Sequence, residues 1–302
     1  MNVRPLAKGE EGRAQELLRG EPVRNIILGG LLSEYGLSDP RSRGKFYGCF
    51  RGGQLAGVAL LGHHALLACG EEEARAFGHV ARRAHAQELA ALIAGPREAA
   101  AFGEAFRPQG GACDGRQVVE SNLLLSLTAG NASALDRYDA DVRPACPAEA
   151  DEVARLHSRG SLALYGSDPA EADPEGYGER VRARVAERRV WVSRDGQGVA
   201  FKADLAAQYG GVLYLEGVLT RPDLRDAGTG TRAFGSLCRR LLRGYDTLCL
   251  LVAEGNQRAL DFYRRAGFTT HSRHSLVRYR PPAARTHAPP ARDPGIVEVV
   301  AA

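Results

Sequence analysis

The chain has 302 residues, enough for two domains of ordinary size, each with its own core. With 44% hydrophobic residues, 25% charged residues and a formal net charge of +4, its composition is that of a soluble globular protein. The basic side chains are nearly all arginine, Lys8, Lys45 and Lys202 being the only lysines, and they are interspersed with 36 acids, so no basic block or stripe argues for nucleic-acid binding.

No apolar run reaches the roughly 18 residues of a membrane span. The six cysteines, Cys49, Cys69, Cys113, Cys146, Cys238 and Cys249, are scattered without a C-x-x-C pair. Cys238 on an apolar helix face and Cys249 in an apolar strand read as small buried hydrophobes of a reducing compartment. The segment Met1–Arg19 is charged and has no apolar signal core, so the cytoplasm is the expected location.

In chain order, the first domain is expected to open with a strand at Asn2–Arg4 and helices at Glu11–Leu18 and Pro22–Tyr35. Tyr47–Arg51, Gly52-Gly53 and Leu55–Leu61 make a hairpin signal. A strand at Ala65–Cys69, a helix at Glu71–His85, a strand at Leu89–Ile93, a helix at Pro96–Phe106 and a buried strand at Gln117–Leu127 follow. Gly130-Asn131-Ala132-Ser133 reads as the linker. Val142-Arg143-Pro144 then echoes Val3-Arg4-Pro5, which suggests an internal duplication with a period of about 140 residues.

The second domain is expected to carry a helix at Ala148–Ser158, a loop at Ser161–Asp168, and a helix capped by Asp173 with Pro174 at its first position. A hairpin joins Val190–Val192 to Val199–Leu205 around Asp195-Gly196. An apolar strand then runs from Val212 to Thr220 and is closed by Pro222, which offers no ladder donor. After Arg225-Asp226-Ala227-Gly228-Thr229-Gly230-Thr231, the residues Ala233, Phe234, Leu237, Cys238, Leu241 and Leu242 recur at helical spacing, and Gly244 supplies the stop. A strand at Leu248–Val252, a helix at Asn256–Ala266 and two closing strands at Phe268–His271 and Ser275–Tyr279 complete the domain. The tail from Pro281 is rich in proline and alanine and reads as flexible.

The glycine loop carries the chemistry. A helix that starts straight out of such a loop presents unpaired backbone N–H groups and partial positive charge at its N-terminus. Gly228 and Gly230 would let an anion reach that backbone with no Cβ in the way, Arg225 adds a charge, and Thr229 and Thr231 add donors. The simpler expectation is a tight turn whose glycines only permit packing. The loop has neither the Walker spacing nor G-x-G-x-x-G, so a P-loop NTPase and a Rossmann dinucleotide site both fit poorly.

The R-x-x-G-x-G loop resembles the signature of the GNAT N-acetyltransferases. A second hallmark follows in order, Asn256-x-x-Ala259-x-x-Phe262-Tyr263-x-x-x-Gly267-Phe268. The resemblance covers about Val142 to Tyr279, and the whole chain is similar to bacterial proteins in which a GNAT domain follows an uncharacterised N-terminal domain. The segments Glu21–Gly36 and Tyr165–Pro169 are also similar to those proteins. They often carry acids just before Tyr165-Gly166, where this chain has Ala163 and Leu164.

The resemblance implies an α/β (α+β) tandem architecture, a mixed central sheet flanked by helices. Residues 141–280 would form a full GNAT domain, 1–131 a degenerate GNAT-like copy and 281–302 the tail. It implies that the amides of Arg225, Asp226, Ala227, Gly228, Thr229, Gly230 and Thr231 receive the diphosphate of acetyl-CoA. The pantetheine would lie between the strand ending near Thr220 and the strand Leu248–Val252, which would splay apart there, and amides near Val218 and Leu219 would hold the thioester carbonyl. Asn256 would touch the pantetheine arm or cap the helix, and Ala259 and Phe262 would lie along the arm. Tyr263 would be the acid that protonates the leaving thiolate, and core packing of Tyr263 is the plain alternative. Glu216 lies on the right strand to be the base, directly or through water, although a surface carboxylate on a half-exposed strand is the expected reading; Asp204 and Glu254 are weaker candidates. His63, His64, His157, His271 and His274 are expected to be structural, and no metal site is expected.

The implied function is direct transfer of an acetyl (acyl) group from acetyl-CoA to an amine, borne by a small molecule or by a protein or peptide. No nucleic acid and no membrane is expected as a partner, and a homodimer stays open. The first domain has no R-x-x-G-x-G and is expected to help wall the acceptor cleft. The rival reading is a non-catalytic acyl-CoA sensor or scaffold.

Overall fold

The computed structural model describes residues 1–107, 117–165 and 168–279, which fall into two compact units. Among the described residues, the first comprises Met1–Leu124, Gln208–Gly210 and 272–279; the second comprises Leu125–Ala207 and Gly211–His271. The units are therefore not contiguous stretches of sequence. The tail expected at 281–302, Cys113, and Gly166-Ser167 lie outside the described residues.

The first unit contains β1 (Asn2–Pro5), α1 (Glu11–Arg19), α2 (Ile26–Tyr35), β2 (Gly44–Arg51), β3 (Gln54–Gly62), β4 (His64–Ala68), α3 (Glu71–Ala84), β5 (Ala91–Ala94), α4 (Pro96–Phe106) and most of β6 (Gln117–Thr128). Strands β1 to β4 are antiparallel neighbours in chain order, and β4 runs parallel to β5. Helices α3 and α4 cover the sheet through Phe77, Ala81, Phe102 and Phe106, which are buried with Leu92. The far edge of β5 is paired by the end of the last strand, with Leu276 opposite Ile93.

The second unit contains β7 (Arg143–Pro144), α5 (Ala150–Tyr165), α6 (Pro169–Ala172), α7 (Pro174–Ala186), β8 (Val190–Asp195), β9 (Gly198–Tyr209), β10 (Val212–Thr220), α8 (Thr229–Leu241), β11 (Thr247–Ala253), α9 (Gln257–Arg265) and the start of β12 (Thr269–Tyr279). Its strand order is β6-β11-β10-β9-β8-β7. One core forms from α5, α7 and the strands through Val153, Leu156, Tyr177, Val181, Val192 and Leu219. A second cluster centres on Phe234 of α8, whose ring lies 5.2–5.7 Å from those of Phe262, Tyr263 and Phe268. The expected elements are present among the described residues with changes of extent, β9 for example running on to Tyr209. Helix α2 begins at Ile26 rather than Pro22, because Asn25 turns back to donate to the Leu18 carbonyl. Helix α5 runs on to Tyr165, through residues expected to be a loop; a Cβ on Gly160 would stand 2.6 Å from Leu219, so the glycine there is a packing contact rather than a stop. The two closing strands are one, β12, whose first three residues are exposed.

The echo between Val3-Arg4-Pro5 and Val142-Arg143-Pro144 has a structural counterpart. Arg4 makes a two-pronged bond to Glu10 at 2.7 and 2.8 Å, and Glu10 also accepts from the Ala7 N–H. Arg143 does the same with Glu149 at 2.9 and 2.8 Å, and Glu149 accepts from the Cys146 N–H. Each device ties the first strand of a unit to the start of its first helix. The arginine hydrogen bonds pull the Glu10 carboxyl down to about 2 and hold Glu149 well below the ordinary carboxylate range.

Groups with depressed values bind fewer protons in the folded chain than in the unfolded one. Their stabilisation is present above the ordinary value of 4.5 and is lost as pH falls through the folded value. Calorimetry across that range is expected to show a falling melting midpoint, and Glu149→Gln a shallower fall; an identical acid limb in the variant would contradict it.

Candidate functional site

Strand β10 is buried from Val212 through Gly217, as a strand inside a sheet must be. It pairs in parallel with β11 through Val212↔Thr247, Leu213↔Leu248 and Tyr214↔Cys249, and there the ladder ends. Both strands continue, β10 to Thr220 and β11 to Ala253, so beyond Tyr214 and Cys249 they part. Parted strands carry main-chain groups that still need partners.

Gly217 marks the change of course. Its φ is +54°, in the left-handed region, inside a strand. Its carbonyl accepts from the Lys202 Nζ at 3.1 Å, and the same ammonium donates to Asp204 Oδ2 at 2.8 Å. A Cβ at this position would stand 2.7 Å from that Nζ and 2.9 Å from that carboxylate, so the backbone and the space both require glycine.

After β10, the turn Pro222–Leu224 leads into the glycine loop, where Arg225 Nε donates to the Thr220 carbonyl at 3.3 Å. Asp226 (φ +65°) and Gly228 (φ +77°) are left-handed, and α8 starts at Thr229. Among the described residues, no acceptor takes the backbone N–H groups from Asp226 through Thr231, and Gly228 provides no side-chain cap. The two glycines do different jobs. At Gly230 a Cβ would lie 2.3 Å from Thr220 Oγ1, so that glycine seats α8 against β10, as the packing reading expects. At Gly228 a Cβ would meet nothing closer than Arg232 Nη1 at 3.8 Å, leaving the loop backbone open to approach. Arg258 at the start of α9 holds Asp226 through both carboxylate oxygens, at 2.9 and 3.0 Å.

Helix α9 is capped by Asn256, whose Oδ1 accepts from the Ala259 N–H at 3.1 Å. Ala259 is half-buried, and Phe262 lies with Tyr263 in the aromatic cluster. Burial keeps the Tyr263 phenol well above its ordinary value, so it holds its proton at any working pH.

Glu216 corrects the sequence expectation: it is a buried carboxylate with 4% exposure, not a surface one. Arg184 Nη2 donates to its Oε1 at 2.6 Å, while its Oε2 is enclosed without a partner. Burial raises its carboxyl, opposed by the charge of Arg184. Asp204, 4% exposed, also lies 3.9 Å from Arg184; burial opposes its charge, yet Lys202 and Arg184 together hold it below its ordinary value. His157 is pushed down to about 3 by burial and is neutral. Sequence reasoning missed Lys202 and Arg184. A lysine and an aspartate two apart in the apolar run Val199–Leu205 was the available signal, since such spacing puts both heads on one buried face. Glu254 is half-buried, His271 is exposed, and His64 is a neutral buried ring in the first unit. No group of three or more His, Cys, Asp or Glu among the described residues is arranged to hold a metal ion, and no helix there is long and apolar enough to cross a membrane.

Both units repeat one order, a strand, helices, three strands, a helix, a strand, a helix and a strand. An acetyltransferase of the GNAT family from Colwellia psychrerythraea superposes over 93% of this chain and 100% of its own, with a TM-score of 0.58 at 11% identity. The fold is that of the GNAT acetyltransferases, in tandem. A tandem GNAT protein from the clavulanic acid biosynthesis pathway matches with a TM-score of 0.56 at 16% identity, over 91% of this chain and 97% of that one. A GCN5-related N-acetyltransferase from Kribbella flavida matches at 0.54 and 17%, over 85% and 94%. The family model described as FR47-like protein matches residues 193–277, within which the parted strands, the loop and α9 all fall. No curated protein matches the sequence. In the first GNAT unit the equivalent helix, α3, begins with Glu71, Glu72 and Glu73 and so opposes an anion at its N-terminus.

Removing one partner of a buried pair costs about 3–5 kcal/mol. Arg184→Met is expected to destabilise the fold by roughly the lower figure where Glu216 is ionised, and by less at acidic pH, where a protonated Glu216 needs no counter-ion. Urea unfolding at two pH values checks this; equal losses at both would contradict it.

Proposed function

We propose that the chain is a cytoplasmic acetyl-CoA-dependent N-acyltransferase, with its site in the second GNAT unit. One observation carries the reading: a run of unpartnered N–H groups, Asp226 to Thr231, opens directly beside two strands that part after three paired residues. The loop suits a diphosphate, because its donors are free, the start of α8 carries no acidic residue and Gly228 leaves the backbone open. Hydrogen bonds to such an anion are worth about 1.5–3 kcal/mol each.

Bound acetyl-CoA supplies an activated acyl thioester. Arg225 and the amides from Asp226 to Thr231 hold the diphosphate, and Asn256, Ala259 and Phe262 border the pantetheine arm. Main-chain groups near Val218 and Leu219 serve the carbonyl oxygen, and Thr220 borders them. Tyr263 keeps a proton available for the departing sulfur, and the unpartnered Oε2 of Glu216 takes one from the incoming ammonium. The acceptor is an amine on a small molecule, a peptide or a protein. The enclosure of Glu216 is the observation that favours the alternative, a non-catalytic acyl-CoA sensor.

Isothermal titration is expected to show acetyl-CoA binding, and the absence of binding would sink the proposal. Tyr263→Phe is expected to lower kcat by roughly 10²-fold with little change in that affinity. A base must be ionised, so the rate is expected to rise with pH through a value above the ordinary 4.5 of a glutamate, and Glu216→Gln to abolish the rise. Binding without turnover on any amine identifies a sensor instead.

A further inference from the structure

We infer that Lys202 is a positioning residue, which by holding the Gly217 carbonyl aims the Val218 N–H into the slot between β10 and β11. The inference rests on the proposed acyl transfer. Its starting point is the planarity of the peptide unit: in a trans peptide the C=O of one residue and the N–H of the next point in opposite directions. No cis peptide occurs among the described residues. With the Gly217 oxygen held 3.1 Å from the Lys202 ammonium, the Val218 N–H is turned away from it. Lys202 stands on β9, one neighbour of β10, and the ladder to the other neighbour, β11, has ended at Tyr214. The freed donor therefore has an unpaired edge to face.

The burial of Lys202 asks for such an explanation. Its side chain is 1% exposed, and a buried ammonium is costly unless it is paired and hydrogen-bonded. Asp204 balances its charge, but a buried ion pair is often no more stabilising than apolar side chains of the same volume. What apolar side chains could not supply is the hydrogen bond to Gly217. The ammonium and the Asp204 carboxylate also fill the space a Cβ on Gly217 would take, so the left-handed glycine and the pair fit each other. The same cluster holds Glu216, the residue before Gly217, through Arg184. Two neighbouring residues of β10, the carboxylate and the peptide ahead of Val218, are thus fixed from one buried array.

Two variants of the full chain separate aiming from filling. Lys202→Met with Asp204→Leu removes the pair together and leaves no lone buried charge. It is expected to keep acetyl-CoA affinity and acceptor KM while kcat falls by about 10²-fold, the loss seen when one oxyanion donor is removed. Lys202→Gln with Asp204→Asn keeps a neutral donor for the Gly217 carbonyl and is expected to restore most of kcat. Full turnover in the first variant, or no recovery in the second, overturns the inference. Should the first variant fail to fold, the unmodified protein decides. With valine labelled by ¹⁵N, the Val218 amide resonance is expected to move on adding acetyl-CoA and to move far less on adding CoA, which lacks the carbonyl; equal responses overturn the inference. If neither compound binds the unmodified chain, it is the transferase reading that fails.

Discussion

The second unit depends on how one strand, β10, leaves its neighbour β11 after Tyr214 and turns at Gly217. Up to Tyr214 the backbone of β10 is satisfied by β11, and nothing about its apolar sequence would stop the pairing from continuing. The pairing has already ended at Tyr214, and the left-handed Gly217 turns the peptide that follows it, so that the parallel ladder does not resume. The unpaired stretch that results would be a defect in an ordinary sheet. Here it lies beside the helix start at Thr229, where further unpaired donors gather, so two consequences of local backbone geometry reinforce each other.

The two units show how one scaffold supports opposite electrostatics. Each opens with the same arginine–glutamate tie, and each has a strand leading to a helix through a short turn. In the second unit that helix begins with threonines and glycine. In the first it begins with three glutamates, one of which, Glu73, is buried and paired with Arg51. A helix N-terminus already supplied with carboxylate charge has little to offer an external anion. The duplication persists in architecture and is lost at the end where the ligand chemistry would be.

What was legible in the sequence was what is local. The loop from Arg225 to Thr231, the Asn256 cap and the Asp173 cap each lie within a few residues, and their geometry follows from residue type. The fold class followed from the order of such segments. What stayed hidden depends on partners distant in the chain. The run of α5 past Ser158 places Gly160 against Leu219, a residue far along the chain. Glu216 reads as a surface acid because an arginine 32 residues earlier, Arg184, is invisible to any periodicity. Lys202 likewise meets Gly217 only across a hairpin. Charge compensation leaves no repeating pattern, so the buried array could be built only from coordinates.

The last strand has a bearing on how the molecule is made. Ile93 of β5 finds its partner, Leu276, more than 180 residues later. Loop closure over such a separation is slow compared with hairpin formation. During synthesis the edge of β5 therefore waits uncovered while the residues up to β12 emerge, a row of unsatisfied amides open to the wrong strand.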